Sequence, residues 1–363
     1  MDVVNLKELE VNIPTDNFGE YCTSLSAPPK WGKTEWATKY DRPFILDFEE
    51  GAKGKVVLRA SVSKWAEVKK YVRQLVREPE LKNKIQTVIF DTVNYALEYC
   101  KQHVMNDYQS KNPDKIIDTF NKIPFGGGWE LLIKEFKTEI NKLKRAGYGV
   151  VLISHVKTKE FEKKSESAHY KTVPDLTDKE RNLITAMADF MLLGEFETEV
   201  ITPAKLNSDG KIVEEAVVKT NRVIHLRTNN NAEAGFRWEK CPEKIPADFY
   251  YFQKIFKEAL LEEIEKGKRK YDLDDNKAKE IRESLDEIKK EEQEQIINEE
   301  KKKEEKLIID EIVEEIKETA LEKVETLGCS KQEVAKVFTN PRLEFNTVES
   351  AEECLLKVKE FKG

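Results

Sequence analysis

The sequence lacks an apolar run long enough to cross a bilayer, a paired-cysteine motif and any excess of positive charge. Each absence closes a class. Without about 20 consecutive apolar residues there is no transmembrane helix, and the charged opening MDVVNLKELE has no apolar centre of a secretory leader. The five cysteines, Cys22, Cys100, Cys241, Cys329 and Cys354, are odd in number and never spaced CxxC. That points away from a disulfide framework and towards a reducing compartment, so the expected location is the cytoplasm. Four scattered histidines offer no zinc site. A net charge of −7 excludes a surface coated for DNA but leaves room for a local basic site.

What is present is unevenly distributed. Hydrophobic residues make up 39% and charged residues 36%, so part of the length is not core. Residues 255–363 carry 22 basic and 31 acidic side chains, against 40 and 38 in the remainder. An acidic, helix-prone tail therefore follows a nearly neutral body. The pattern predicts three parts: a core over 1–256, a charged helical segment over 257–320 and a small helical bundle over 321–363. In the middle segment Leu273, Ile281, Leu285, Ile288 and Ile296 do not hold a heptad, which leaves coiled-coil pairing the less favoured alternative to a solvated helix. Ser330 and Thr347 are helix-start signals in the last part.

Within the core, short apolar runs alternate with amphipathic stretches. Strands are expected over Tyr21–Ser26, Pro43–Phe48, Ile85–Phe90, Gly149–Ser154, Ala188–Leu193 and Val223–Leu226, with helices over Trp65–Val76 and Trp129–Arg145. Strands apolar on both faces and separated by helices predict an α/β fold with a mainly parallel sheet covered on both sides.

Ala27-Pro28-Pro29-Lys30-Trp31-Gly32-Lys33-Thr34 has the spacing GxxxxGK[ST], with alanine in the first position. A phosphate loop needs main-chain N–H groups turned around the phosphates, a lysine across the β- and γ-phosphates and a hydroxyl on Mg²⁺. Gly32, Lys33 and Thr34 supply these, and Ala27, Lys30, Trp31 and Glu35 complete the candidate ATP contacts. A bare GKT in a lysine-rich chain arises by chance. Here it follows an expected strand and opens a helix, the context that distinguishes a P-loop. ATP and Mg²⁺ are the implied cofactors.

Three further strand ends carry polar residues. Asp91 closes IQTVIF, where a second Mg²⁺-site residue belongs beside Thr34. Thr92 follows it, whereas AAA+ machines usually carry a glutamate there, which counts against them. LDFEEG ends the second strand with Glu49 and Glu50; the competing reading is an exposed acidic turn. Ser154-His155 ends GVVLIS, and a structural histidine is the plain alternative to a functional one.

Taken in order, SAPPKWGKTEWA, PFILDFEEG, TVIFDTVNYAL and GYGVVLISHVKTKEF resemble the phage-encoded RecA-like P-loop ATPases of the Sak recombination group. The resemblance covers roughly residues 18–260 and includes LRTN, GFR and KIPADFYYF further on. Ala27 and the acidic tail depart from it. It implies a RecA-like fold and an ATPase stimulated by single-stranded DNA. It implies Glu49 as the residue that polarises the attacking water, with Glu50 as the alternate, and His155 as a sensor of the γ-phosphate. Arg237, or else Arg227, is the implied arginine finger towards a neighbouring copy in a homo-oligomer. Two DNA-binding loops are implied, one at Met105–Gly128 and one at Lys157–Lys171. The second interleaves Lys157, Lys159, Lys163, Lys164 and Lys171 with Phe161 and Tyr170, lysines for phosphates and rings for bases. A mobile hydrophilic loop is the competing reading. Beside a recombination ATPase stand two alternatives: an ATP-switched scaffold recruiting a protein partner through the acidic tail, and a helicase-loader or helicase-like motor.

Overall fold

The computed structural model describes residues 10–361 apart from 164–165, 203–204, 207–211, 215–216, 272–274, 329–334 and 339–342. Ser330, Leu273, Cys329 and Lys164 lie outside the described residues. The chain forms two compact units, Met1–Arg282 and Glu283–Gly363.

The first unit is built on a sheet of eight strands. In chain order these are β1 (Cys22–Ser26), β2 (Pro43–Asp47), β3 (Leu58–Ser61), β4 (Thr87–Asp91), β5 (Gly149–Ser154), then a separate hairpin, β6 (Val156–Lys163) and β7 (Glu166–Pro174), and then β8 (Phe190–Thr202). The short pair β9 (Lys205–Leu206) and β10 (Ile212–Glu214) precedes β11 (Val217–His225) and β12 (Lys244–Pro246). The order across the sheet is β12-β11-β8-β1-β5-β4-β2-β3. From β8 to β3 all neighbours run parallel, while β11 is antiparallel to both β8 and β12. The fold is α/β and P-loop NTPase-like, with further helices at the C-terminus.

The central strands are buried on both faces because both faces are covered, and β1 carries Thr23, Ser24 and Ser26 into that interior. Every residue of β1, β4 and β5 is buried. One face packs against helices α2 (Trp65–Arg77), α3 (Val93–Lys111), α4 (Gly127–Arg145) and α5 (Asp178–Met187), through Trp65, Val68, Leu97, Phe136, Ile140 and Ile184. Trp65 and Phe136 stack with centroids 5.4 Å apart. On the other face lie α1 (Lys33–Ala37) and α6 (Phe249–Tyr271). There Phe18, Tyr40, Phe190, Phe249, Phe252 and Phe256 form one aromatic cluster. Each buried ring contributes about 2 kcal/mol of transfer free energy.

Helix α6 begins inside the expected core and runs on past residue 256, with Ala259, Leu260 and Ile264 buried. The apolar stripe at i, i+3, i+4 and i+7 continues beneath a charged outer face, so composition alone disguises it. Helix α7 (Asn276–Leu327) follows as one long charged helix. In the second unit Ile316 packs with Cys354, Leu355 and Val358 of α8 (Val348–Glu360). Thr347 caps α8, accepting from the Ser350 N–H.

Two segments differ from expectation. The stretch expected as a second polar loop is the β6–β7 hairpin, with Thr158 opposite Thr172 and Lys159 opposite Lys171. β-Branched Val156, Thr158, Thr172 and Val173 favour strands, and cross-strand pairing satisfies main-chain groups that a loop leaves to water. The hairpin is tied down where Thr172 N–H donates to the Asn231 carbonyl. The stretch expected as a first loop, Met105–Gly128, starts as the end of α3 and continues through short 3₁₀ turns. Buried Ile123 and the Phe120–Trp129 ring pair hold it to the core.

Candidate nucleotide-binding site

The parallel sheet puts the C-terminal ends of β1, β2, β4 and β5 side by side, and four loops leave from that edge. Ala27–Thr34 follows β1 and runs into α1. Gly32 has φ +100°, a backbone conformation that glycine adopts without a Cβ penalty. Ala27 is fully buried and has no positive φ, so its turn does not demand glycine. Lys30, exposed and at φ 60°, takes the left-handed bend instead.

Lys33 is buried, and its Nζ donates to the loop's own carbonyls, Ala27 O at 2.9 Å and Pro28 O at 3.1 Å. Burial pushes its pKa down, while Asp91 and Glu49 oppose the shift. A phosphate would meet an ammonium already held inside the loop and poorly screened. Thr34 Oγ1 donates to Asp91 Oδ2 at 2.6 Å. Burial, with Glu49 and Asp47 nearby, raises the Asp91 pKa; Thr34 and Lys33 work against it. A carboxylate short of compensating charge and a hydroxyl in contact with it are a donor set suited to Mg²⁺, which keeps several waters and takes few protein ligands. When bound, Mg²⁺ neutralises phosphate charge; Thr34 and Asp91 are the residues that would hold it.

Glu49 leaves the end of β2 and accepts a hydrogen bond from the Thr92 hydroxyl, next to Asp91. His155 Nε2, at the end of β5, lies 3.5 Å from the same Glu49 oxygen. The His155 Nδ1 is buried and has no partner among the described residues. Glu50 is exposed and pairs with Lys53, turned away by its left-handed φ of 58°. The two adjacent glutamates are thereby separated: one is among the strand-end residues, the other is in a surface ion pair. Lys33, Thr34, Glu49, Asp91 and His155 come together as the strand-end pattern requires.

Other expected residues sit elsewhere. The Trp31 side chain is 1% exposed and faces inward; its Nε1 donates to the Glu195 carbonyl at 3.1 Å. It seats the loop on β8, leaving only its main chain towards a ligand. Glu35 is exposed and paired with Lys55. Arg237 pairs with Asp189, whose other oxygen accepts the Cys22 N–H at 2.9 Å. That is the start of β1, the opposite sheet edge from the phosphate loop, so within one chain Arg237 does not reach it. Arg227 donates to the carbonyls of Trp238 and Glu239. Lys157 is 3.2 Å from Asp175, and Lys159 is 2.6 Å from Asp178. Tyr170 is 64% exposed but pairs with Glu160, so strand alternation puts it on the opposite face from Lys159 and Lys171. Lys163 ends β6, and Lys164 lies outside the described residues.

A family model described as an AAA domain matches residues 20–238, which contain the loop and all four strand ends. The chain belongs to this AAA domain family. The match overturns the expectation that Thr92 after Asp91 counts against an AAA assignment; in this chain the carboxylate that meets Thr92 is Glu49 from the end of β2. Over 126 residues the chain is 31% identical to the SPbeta prophage-derived uncharacterized protein YorG of Bacillus subtilis (strain 168). That match takes in 34% of the chain and 37% of the relative, so the chain covers little more than a third of that protein's length. The family match supports a P-loop NTPase domain over residues 20–238.

Several residues that shape this AAA domain escape sequence reasoning. Asp47, 1% exposed, accepts the N–H groups of Gly51 and Ala52 and the Arg59 guanidinium at 2.9 Å, fixing the turn that carries Glu49. Its place at the head of DFEEG was the available signal. Ser26 and Ser154 share a buried hydroxyl contact at 2.7 Å between β1 and β5. Arg222 of β11 donates to the Trp31 carbonyl at 3.1 Å, across 191 positions that no local pattern links. Among the described residues no helix is long and apolar enough to cross a membrane.

Proposed function

We propose that the chain hydrolyses ATP with Mg²⁺ in the RecA-like manner and couples hydrolysis to single-stranded DNA, as in phage recombination ATPases. The observation that carries the ATPase reading is Glu49: it leaves β2, meets Thr92 beside Asp91 and lies 3.5 Å from His155. In this reading Lys33 stabilises the transferring phosphoryl charge, Thr34 and Asp91 hold the metal, and Glu49 takes the proton of the attacking water. His155 reports γ-phosphate occupancy. DNA coupling is supported by connectivity, because β6 begins at the residue after His155 and the hairpin carries the half-buried Lys171 on one face and the exposed Tyr170 on the other. Arg237 as a finger, and the homo-oligomer it needs, belong to the same proposal.

A second reading, an ATP-switched scaffold recruiting a partner through the acidic C-terminal region, is favoured by one observation. Lys157 and Lys159, two cations expected for DNA, are already paired with Asp175 and Asp178. One experiment separates the two. ATP turnover of the intact chain and of Lys33→Ala is measured with and without single-stranded DNA. The ATPase reading expects turnover that Lys33→Ala abolishes. The DNA reading expects stimulation by the strand and salt-sensitive affinity; turnover indifferent to DNA, with no affinity for it, leaves the scaffold.

A further inference from the structure

Strand β8 does not stop where the sheet does. Its Leu193 is level with Ser26, the last residue of β1, yet β8 continues to Thr202 and pairs with β11 throughout. A two-stranded ribbon therefore projects past the sheet edge that carries the phosphate loop. Its two faces differ in chemistry. On one face alternate Glu195, Glu197 and Glu199. On the other, Phe196 lies opposite Arg222 and Thr198 opposite Thr220.

The second face is continuous with the loop. Gly194, two residues before Phe196 and on the same face, abuts Trp31: a Cβ on it would meet the indole at 2.5 Å. The Arg222 guanidinium donates to the Trp31 carbonyl, and a Cβ on Gly32 would lie 2.7 Å from it. Immediately beyond this contact Phe196 presents its ring, 40% exposed. A nucleotide whose phosphates lie in the loop must send its base somewhere within reach of the loop. On the glutamate face the carboxylates are already engaged, Glu195 with His225 and Glu197 with Lys244, and Glu199 lies opposite Lys219, whereas the Phe196–Arg222 face offers a ring and a planar cation, the pair that stacks on any base.

We propose that this face of the β8–β11 ribbon is the nucleobase platform of the phosphate-loop site, with Phe196 stacking on the base and Arg222 bridging base end and loop. The proposal rests on the ATP-binding reading above. It is tested on the full chain with two Mg²⁺-supplied ligands, ATP and inorganic tripolyphosphate, which has the phosphates and no base. Phe196→Ala weakens ATP about tenfold and leaves tripolyphosphate affinity unchanged, while Phe196→Tyr keeps the affinity for ATP. Unchanged tripolyphosphate binding also reports that the variant is folded. Equal loss of both ligands, or loss of neither, overturns the platform. So does unchanged ATP affinity with altered sedimentation, which assigns the face to a second copy. If the unaltered chain binds tripolyphosphate and Lys33→Ala does not, the phosphate-loop reading stands whatever Phe196 does. Binding of neither ligand by the unaltered chain removes both readings.

Discussion

The Glu49 carboxylate accepts a hydrogen bond from the hydroxyl of Thr92, the residue that follows Asp91. Two strand ends 43 positions apart are joined at one carboxylate, and the Asp47 cap fixes the turn that delivers it.

Glu49→Gln keeps the size and the hydrogen-bonding shell but removes the base. Turnover is expected to fall at least about a hundredfold with ATP binding retained. Glu50→Gln breaks only an exposed pair with Lys53 and leaves turnover near that of the unaltered chain. Steady-state rates and titration of ATP check both; equal effects of the two changes would return the choice between them.

Gly194→Ala attacks the seat of the phosphate loop from a distance. The added methyl would meet Trp31 at 2.5 Å and the Ala27 Cβ at 2.8 Å, inside van der Waals contact on both sides. Overpacking of this kind costs about 1–3 kcal/mol and should displace the loop, so both thermal stability and ATP affinity drop. A calorimetric scan with and without nucleotide reads the two effects.

Glu180 gives a pH dependence with a definite sign. Burial pushes its carboxyl up, but the Lys101 ammonium at 2.7 Å and the Thr177 hydroxyl and N–H more than reverse this, so its pKa is lowered. A depressed folded pKa stabilises the fold above the ordinary glutamate value, and the contribution is lost as pH falls through the folded value. Glu180→Gln should cost about 2 kcal/mol at neutral pH and progressively less in acid, checked by urea unfolding at several pH values.

The hairpin lysines should not behave alike. Lys157→Ala and Lys159→Ala remove pairs with Asp175 and Asp178 and act mainly on the hairpin's own stability. Lys171→Glu, with no ion pair among the described residues, should lower single-strand affinity and flatten its salt dependence. Fluorescence anisotropy across a salt series distinguishes the three; indifference to Lys171→Glu counts against the hairpin as a DNA element.

Legibility in the sequence followed the range of the interactions. β4 and β5 were readable because each is a short, mostly apolar run, β1 because it leads straight into the GKT loop, and Thr347 because a cap acts within one turn. The β6–β7 hairpin was not, since its lysines mask an alternation that matters only once two strands pair. The buried stripe of α6 was hidden the same way, by charges on its outer face.

By itself the sequence determined the phosphate loop and the polar residue at the end of each central strand, because spacing along one strand or turn is a local property. Tertiary structure alone decided which glutamate faces Asp91, that Trp31 points inward, and that Arg222 reaches the loop across 191 positions. Those outcomes depend on strand order and register. Register is set by the burial of whole faces, and no window of neighbouring residues contains that information.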